Sequence, residues 1–222
     1  MLSRRSKELF YTFFSPVMRI NGTLYRTIRA PRKNNDNLIK VQLGPGQKNY
    51  LAGWINVDSN LFTAKVDVWS DIRYTLPFKD ESVDFFYSHH VIEHLPDLTF
   101  HLKDMYRALK KDGKIRIGGP NGDTAIRKYL ENDHAWFINF PDERESIGGK
   151  LENFLICRQE HLTILTPSFL KESLENVGFK NVKVCLATKE TRFPEIIDQN
   201  VLGKEWETDL NFPMTLLVEA EK

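Results

Sequence analysis

Residues 38–58 read LIKVQLGPGQKNYLAGWINVD, two short apolar segments separated by a glycine-containing turn. The first segment, Leu38–Leu43, predicts a buried strand that ends at Gly44-Pro45-Gly46. The second segment, Trp54–Val57, predicts another strand, which ends at Asp58. Two apolar strands joined by a tight crossover are typical of a parallel sheet.

The same alternation continues along the chain. Further strands are predicted over Val66–Trp69, Val83–Tyr87, Lys114–Ile117, Val182–Leu186 and Met214–Ala220. Apolar spacing predicts helices over Leu98–Leu109, which Asp112-Gly113 separates from the next strand, and over Ser168–Asn176. We therefore expect an α/β fold: a Rossmann-like, doubly wound, mostly parallel seven-stranded sheet with an antiparallel C-terminal strand.

Composition narrows the class of protein. Apolar residues make up 41% and charged residues 27% of the 222, which is ordinary for a globular chain. The formal charge is +1, so no overall field attracts nucleic acid, and no nucleic-acid partner is expected. The two cysteines, Cys157 and Cys185, form no CxxC pair, which fits a reducing compartment and predicts a cytoplasmic location.

Although the net charge of the whole chain is close to zero, its N-terminal arm, residues 1–37, is basic. Residues 1–40 hold nine basic and two acidic side chains, a net charge of +7, and 32–37 (RKNNDN) predict a linker. Apolar residues of the arm share one helical stripe that Pro16 interrupts: Leu9, Phe10, Phe13, Phe14 and Val17. The favoured interpretation is a helix packed on its own domain. The alternatives are peripheral contact with an anionic membrane and an organelle transit peptide.

Polar or glycine residues follow four successive predicted strands, at Gly44–Gly46, Asp58, Asp71 and Ser88–His90. In a parallel sheet, ligands bind beyond the carboxyl ends of the strands. The Asp58 carboxylate suits the vicinal diol of a ribose, and Asp71 suits an adenine amino group. A dinucleotide is disfavoured because position 49 is asparagine rather than glycine, which argues against an oxidoreductase.

Together these segments resemble class I S-adenosylmethionine-dependent methyltransferases of the type 11 kind, in a small bacterial branch with a GWINVD second strand. The resemblance spans residues 38–222, which we expect to form the methyltransferase domain. The motifs that carry it are LGPG (43–46), WINVD (54–58), Asp71 with LPF (76–78), DESVD (80–84) and SHHVIEHL (88–95).

The resemblance implies S-adenosylmethionine as the cofactor and a set of residues that contact it. These are Leu43, Gly44 and Gly46 along the methionine portion, Asp58 at the ribose, Asp71 and the Ile72 backbone at the adenine, and Ser88 and His89 beside the sulfonium and the acceptor. Pro45 departs from the family pattern. Because proline has no N–H, one backbone contact is lost or made elsewhere.

Residues His90–His94 (HVIEH) match the H-x-x-E-H signature of some zinc peptidases, which requires a helix that Pro96 argues against. Some similar methyltransferases bind Mg²⁺ through Glu-x-x-Glu-His, but position 90 is histidine, a ligand that magnesium disfavours. No metal is therefore expected. Glu93 and His94 are expected to orient the turn by capping and hydrogen bonding.

A hydroxyl acceptor needs a general base, and His89, His90 and His94 are the candidates by position. His161, which directly follows residues 118–160, could join them. Residues 118–160 form an insertion that is expected to act as a lid or to pack on the surface. The predicted function is methyl transfer to oxygen or nitrogen of a small-molecule or glycan-like acceptor.

The alternative function is a non-catalytic nucleotide-binding or cofactor-binding module that the basic arm recruits to a membrane or an assembly. The location is then cytoplasmic or membrane-peripheral, and the oligomeric state is left open.

Overall fold

The computed structural model describes residues 4–29, 37–207 and 209–222. The strands among these residues are β1 (Lys40–Leu43), β2 (Ile55–Asp58), β3 (Val68–Trp69), β4 (Val83–His89), β5 (Leu109–Pro120), β6 (Lys180–Cys185) and β7 (Thr215–Glu221). The helices are α1 (Arg4–Ile28), α2 (Leu98–Ala108), α3 (Gly122–Leu130), α4 (Ile147–Ile156), α5 (Pro167–Val177) and α6 (Gln199–Leu202), with a 3₁₀ turn over Ile92–His94.

The seven strands pair in the order β3-β2-β1-β4-β5-β7-β6. β1 pairs in parallel with β2, with Val41 opposite Ile55 and Leu43 opposite Val57, and β2 pairs in parallel with β3. β6 and β7 are antiparallel. The order reverses between β1 and β4, as it does in doubly wound folds, and the predicted fold class is confirmed.

The chain divides into two compact units. The first contains the described residues up to Tyr87, together with Phe100–Lys114 and Lys222. The second contains Ser88–Thr99 and Ile115–Glu221. The boundaries expected for the arm and the main domain remain predictions, and the expected linker lies outside the described residues except for Asn37.

Helix α1 runs through Pro16 to Ile28, although the sequence pattern predicts an interruption there. Its inner face packs in the first unit, where Met18 is fully buried. Gly22 lies so close to the end of β3 that a side-chain carbon at this position would be 2.9 Å from Ser70 Oγ. Packing of this face stabilises the helix beyond the proline, which cannot donate a backbone hydrogen bond.

Strand β5 begins at Leu109, five residues before its predicted start. The chain passes through Asp112, with φ of 63°, and Gly113 without leaving the strand. The dipeptide that was expected to separate a helix from a strand therefore lies inside the strand. The positive φ at Asp112 accommodates the bend locally, because aspartate tolerates the left-handed region better than most residues do.

The insertion over residues 118–160 contains α3 and α4 and has its own apolar cluster. Trp136 and Phe137 are buried and pack edge-to-face, with ring centroids 4.9 Å apart. Trp136 also packs against Phe154 of α4 and donates its indole N–H to Phe212 O at 2.8 Å. These aromatic side chains form a core in the second unit and are not exposed to an acceptor, whereas Phe140 is exposed.

A buried ion cluster connects β5 and β7 in the second unit. The Arg116 side chain is fully buried and donates two hydrogen bonds to Glu205, at 2.6 and 2.8 Å. A third, at 2.8 Å, goes to Glu219 on β7. Glu219 also accepts from Thr191 Oγ1 at 2.6 Å and from the Arg192 backbone N–H at 2.7 Å. One guanidinium therefore compensates two buried carboxylates.

Replacing Arg116 by methionine should lower the free energy of unfolding by about 3–5 kcal/mol, because two carboxylates remain buried without their cation. Urea denaturation followed by circular dichroism measures the change. The control is Lys171→Met, which removes an exposed partner of Glu175, 3.9 Å away, and should change stability little. A loss no larger than the control's would contradict the role given to Arg116.

Candidate active site

The turn after β1 is shaped by two glycines. Gly44 and Gly46 have φ of 66° and 56°, in the left-handed region that glycine adopts without strain. The Gly44 N–H donates to Val57 O, and the Gly46 N–H donates to Asp58 Oδ2, both at 2.9 Å. Because Pro45 has no N–H, the two amides of this turn that could face a ligand are already used within the protein. Leu43 is buried in β1.

Asp58 ends β2 and is half-buried. Its Oδ2 accepts from Gly46 and its Oδ1 accepts from the Asn60 backbone N–H at 2.9 Å. A carboxylate offers about four acceptor positions, so each oxygen keeps capacity for a further donor. Two vicinal hydroxyls can therefore bind this carboxylate while the protein's own hydrogen bonds hold it in place.

Asp71 follows β3 and is nearly fully buried. Its Oδ1 accepts from Arg73 N at 3.1 Å and Arg73 Nε at 2.9 Å. Its Oδ2 accepts from Arg73 Nη2 at 2.6 Å and from Ser15 Oγ of α1 at 2.7 Å. All four acceptor positions are thus occupied by this chain. An adenine amino group could bind Asp71 only by displacing one of these donors.

Burial acts to raise the pKa of Asp71, but the hydrogen bonds from Arg73 and Ser15 outweigh burial and hold the pKa below its ordinary value. The carboxylate is therefore ionised at neutral pH. Its stabilising contribution is present above the unfolded-state pKa and is lost as the pH falls through the lowered folded-state pKa.

His101 of α2 supports the neighbouring backbone. It is buried, and its Nδ1 lies 3.2 Å from Ile72 O, which makes Nδ1 the protonated nitrogen. Burial lowers the pKa of His101 to about 4, so the ring is neutral. Ser15, Arg73 and His101 were missed from the sequence. Arg73 could have been found from its position two residues after Asp71, but Ser15 lies 56 positions away and gives no such signal.

The predicted site residues after β4 belong to the second unit. Ser88 is fully buried, and its hydroxyl has no hydrogen-bond partner in the described part of the chain. His89 and His90 stack edge-to-face, with centroids 4.5 Å apart. Burial, then the charges of His90 and Arg116, lowers the pKa of His89 well below its ordinary value. His89 is therefore a neutral and weakly basic imidazole.

Glu93 lies in the 3₁₀ turn with its side chain 1% exposed. His90 Nδ1 is 3.3 Å and His94 Nε2 is 3.8 Å from its Oε1, yet neither carboxylate oxygen makes a well-aligned hydrogen bond to a described residue. Burial acts to raise the pKa of Glu93, but His90 and then His94 outweigh it and lower the pKa. Glu93 caps no helix, because the N-cap of the turn is Val91 and receives no side-chain bond.

His94 and His161 face each other beside Glu93, with ring centroids 4.9 Å apart. His94 Nδ1 donates to Glu160 O at 2.9 Å. His161 Nδ1 donates to Leu155 O at 3.1 Å. The peptidase interpretation of HVIEH fails, because His90 has φ of 55° and only a three-residue turn follows it, instead of a helix.

Comparisons with known proteins agree with this architecture. A family model described as methyltransferase domain matches residues 41–117. A demethylmenaquinone methyltransferase of Lactobacillus johnsonii is 31% identical over 109 residues, 48% of this chain and 43% of that protein. The chain thus matches less than half the length of this curated relative.

Two solved structures share the fold over nearly their whole length. One is an S-adenosylmethionine-dependent methyltransferase from Thermotoga maritima, with TM-score 0.54 and 18% identity over 98% of this chain and 97% of that one. The other, from Archaeoglobus fulgidus, has TM-score 0.52 and 21% identity over 96% and 99%.

Over residues 41–117 this chain is similar to methyltransferase domains, and it shares the fold of S-adenosylmethionine-dependent methyltransferases. The resemblance stated from the sequence motifs is thereby confirmed, as is the fold class. The family match runs from β1 into β5, the part of this chain that contains the glycine turn and both aspartates. The assignment of individual cofactor-binding and catalytic residues remains a prediction.

The role predicted for Asp58 in binding a ribose can be separated from its structural hydrogen bonds by measuring two ligands on two variants. S-Adenosylhomocysteine and its 2′-deoxy analogue are titrated calorimetrically into wild type and Asp58→Ala. Wild type should bind the deoxy analogue at least about tenfold more weakly, because a hydrogen bond to a charged group is lost.

In Asp58→Ala the two ligands should bind equally, whatever the variant does to the turn. Asp97→Ala is the control and should preserve the wild-type difference. A deoxy penalty of the same size in Asp58→Ala would show that another group holds the ribose.

Proposed function

We propose that this chain is an enzyme that transfers the methyl group of S-adenosylmethionine to oxygen or nitrogen of a small-molecule acceptor, glycan-like acceptors included. The observation that carries the proposal is the half-buried Asp58 carboxylate, which is fixed by the Gly46 and Asn60 N–H groups and retains acceptor capacity. It lies in a chain that has the fold of an S-adenosylmethionine-dependent methyltransferase and that matches a methyltransferase-domain family model over residues 41–117.

The cofactor's sulfonium supplies a good leaving group, so the protein's task is to align the acceptor and to remove its proton. We assign the base role to His90 ahead of His89, because burial lowers the pKa of His89 well below its ordinary value and makes that ring a weak base. As His90 gains a proton, Glu93 Oε1, 3.3 Å from Nδ1, stabilises the imidazolium. His94 is the second candidate.

The curated relative is named for demethylmenaquinone, but its similarity covers 48% of this chain. That similarity supports S-adenosylmethionine as the methyl donor more strongly than it supports any particular acceptor. We therefore define the acceptor only by the atom that receives the methyl group, oxygen or nitrogen, and do not propose a quinone.

Tritium transfer from S-adenosyl-[methyl-³H]methionine to a panel of hydroxyl and amine acceptors tests the proposed reaction. Replacing His90 by glutamine should lower kcat toward a hydroxyl acceptor by about 10²–10⁴-fold and leave cofactor affinity unchanged, because only proton removal is lost. His134→Gln, at an exposed histidine, should retain wild-type kcat.

Equal loss of kcat in both histidine variants would contradict the role of His90. Failure of wild type to bind S-adenosylmethionine or its demethylated product would overturn the enzyme proposal. Binding without transfer to any acceptor would favour the non-catalytic module.

We also propose that α1 docks on an anionic membrane surface. Six apolar residues at helical spacing are 49–75% exposed along its outer face: Leu9, Phe13, Val17, Ile20, Leu24 and Ile28. They lie opposite Met18 and Gly22, which pack inward. The stripe spans 19 residue steps, or about 28 Å. The apolar stripe noted from the sequence thus points largely outward, while the helix packs inward through other residues.

The surroundings of the stripe favour a lipid surface over a protein partner. Phe62 is 75% exposed and lies against Phe10 and Phe14, with centroids 6.1 and 6.4 Å away, so the apolar surface extends beyond the helix. Residues 4–29 contain six basic and one acidic residue, a net charge of +5. An apolar face on a basic helix is the pattern of interfacial membrane helices. Within the described residues, no helix has the length and hydropathy needed to cross a membrane.

Flotation with vesicles containing phosphatidylglycerol should carry wild type upward, and neutral phosphatidylcholine vesicles should carry much less. The double variant Phe13→Glu/Ile20→Glu should reduce flotation about tenfold or more, because two charges enter the apolar contact. Leu130→Glu, at an equally exposed leucine of α3, is the control.

Equal flotation of the double variant and the control would overturn the docking proposal. So would a concentration-dependent dimer in sedimentation velocity that only the double variant abolishes, since the stripe would then cover a second copy of the chain.

A further inference from the structure

The Glu93 carboxylate is buried without the donors that a buried charge requires. Its two oxygens make no well-aligned hydrogen bond within the described residues, although the side chain is 1% exposed. Gly119 of β5 lies against it: a side-chain carbon there would be 2.7 Å from Glu93 Oε2. An ionised carboxylate in this position needs a compensating positive charge.

Two imidazoles lie beside this carboxylate, and Nε2 of His94 is 3.8 Å from Glu93 Oε1. His94 and His161 each donate Nδ1–H to a backbone carbonyl, of Glu160 and Leu155 respectively. With Nδ1 protonated, Nε2 carries the lone pair in each neutral ring. Backbone carbonyls that accept from the other ring nitrogen in this way fix the tautomer and orientation of metal-ligating histidines. Ligand atoms of Glu93, His94 and His161 lie within 4.8 Å of one another.

We propose that Glu93, His94 and His161 form a binding site for a divalent first-row transition cation, with zinc the best match. Two imidazole nitrogens and one carboxylate oxygen form a donor set suited to zinc and its neighbours, and poorly suited to magnesium, which prefers oxygen. Three protein ligands leave a coordination position for water or another ligand. This proposal differs from the expectation from the sequence, which was a turn without a metal ion.

Binding of a zinc ion requires the three ligand side chains to move slightly closer together. A tetrahedral zinc ion with ligand distances of about 2.1 Å places its ligand atoms about 3.4 Å apart. The ligand atoms therefore need to approach one another by up to about 1.4 Å, a shift that rotation of the two imidazoles can supply. His90 Nδ1, 3.3 Å from Glu93 Oε1, flanks the carboxylate.

The test uses tag-free, metal-stripped full-length protein, without donor or acceptor, so that its outcome is independent of the proposed reaction. Calorimetry should show one equivalent of Zn²⁺ bound with micromolar or tighter affinity. Co²⁺ should give the intense visible absorption of a tetrahedral site. Mg²⁺ should not compete at millimolar concentration.

Glu93→Gln and His161→Ala should each weaken Zn²⁺ binding at least about 100-fold, since each removes one of three ligands. His134→Ala should bind as wild type does. Zn²⁺ should raise the melting temperature of wild type and His134→Ala but leave that of Glu93→Gln unchanged, and this readout also shows whether the variant is folded.

Absence of tight Zn²⁺ and Co²⁺ binding to wild type would overturn the proposal. Equal affinity of His161→Ala and His134→Ala would do the same, because the bound ion would then lie elsewhere.

Discussion

The hydrogen bond from Gly46 to Asp58 joins the ends of β1 and β2, and the candidate cofactor site depends on it. Parallel pairing aligns Leu43 with Val57, so the next residue of each strand begins a turn at the same edge of the sheet. Gly44 then donates to Val57, and Gly46 reaches the carboxylate of Asp58. One side chain thus shapes the turn and also presents acceptor positions outward. A larger residue at Gly46 would require a backbone conformation that side chains resist.

Periodicity predicted the sheet well because its strands are short, apolar and separated by turn residues. All seven predicted strands overlap observed ones, and β4 and α2 begin at the predicted residues. The errors have local causes. Pro16 does not end α1, because packing against the first unit outweighs one missing backbone hydrogen bond. Asp112-Gly113 does not separate two elements, because a left-handed residue bends β5 without ending it. Helices α3 and α4 were not predicted, and their apolar residues pack with each other, with Trp136 and Phe137, and with the distant Met214.

For the candidate site, the strand ends could be predicted, but the state of each side chain could not. Asp58 and Asp71 look alike in sequence, as acids that follow apolar strands, yet Asp58 keeps acceptor capacity while Asp71 is saturated by Arg73 and Ser15. The sequence indicated only that Glu93 orients the turn. It shows neither the burial of this carboxylate nor that His161, 68 residues downstream, lies beside it. Which donors surround a charged side chain depends on the tertiary structure, and the local sequence pattern contains little information about it.

The bond from Ser15 to Asp71 connects the outward-facing helix to a strand end at which a nucleoside is proposed to bind. If adenine takes an acceptor position on Asp71, it competes with a contact that anchors α1. Thermodynamic linkage then makes the effect reciprocal. Binding of α1 to a bilayer changes the chain's affinity for the methyl donor by the same factor by which the donor changes its affinity for the bilayer. In a chain with such a connection, the Ser15 hydroxyl would link donor binding to adsorption of α1.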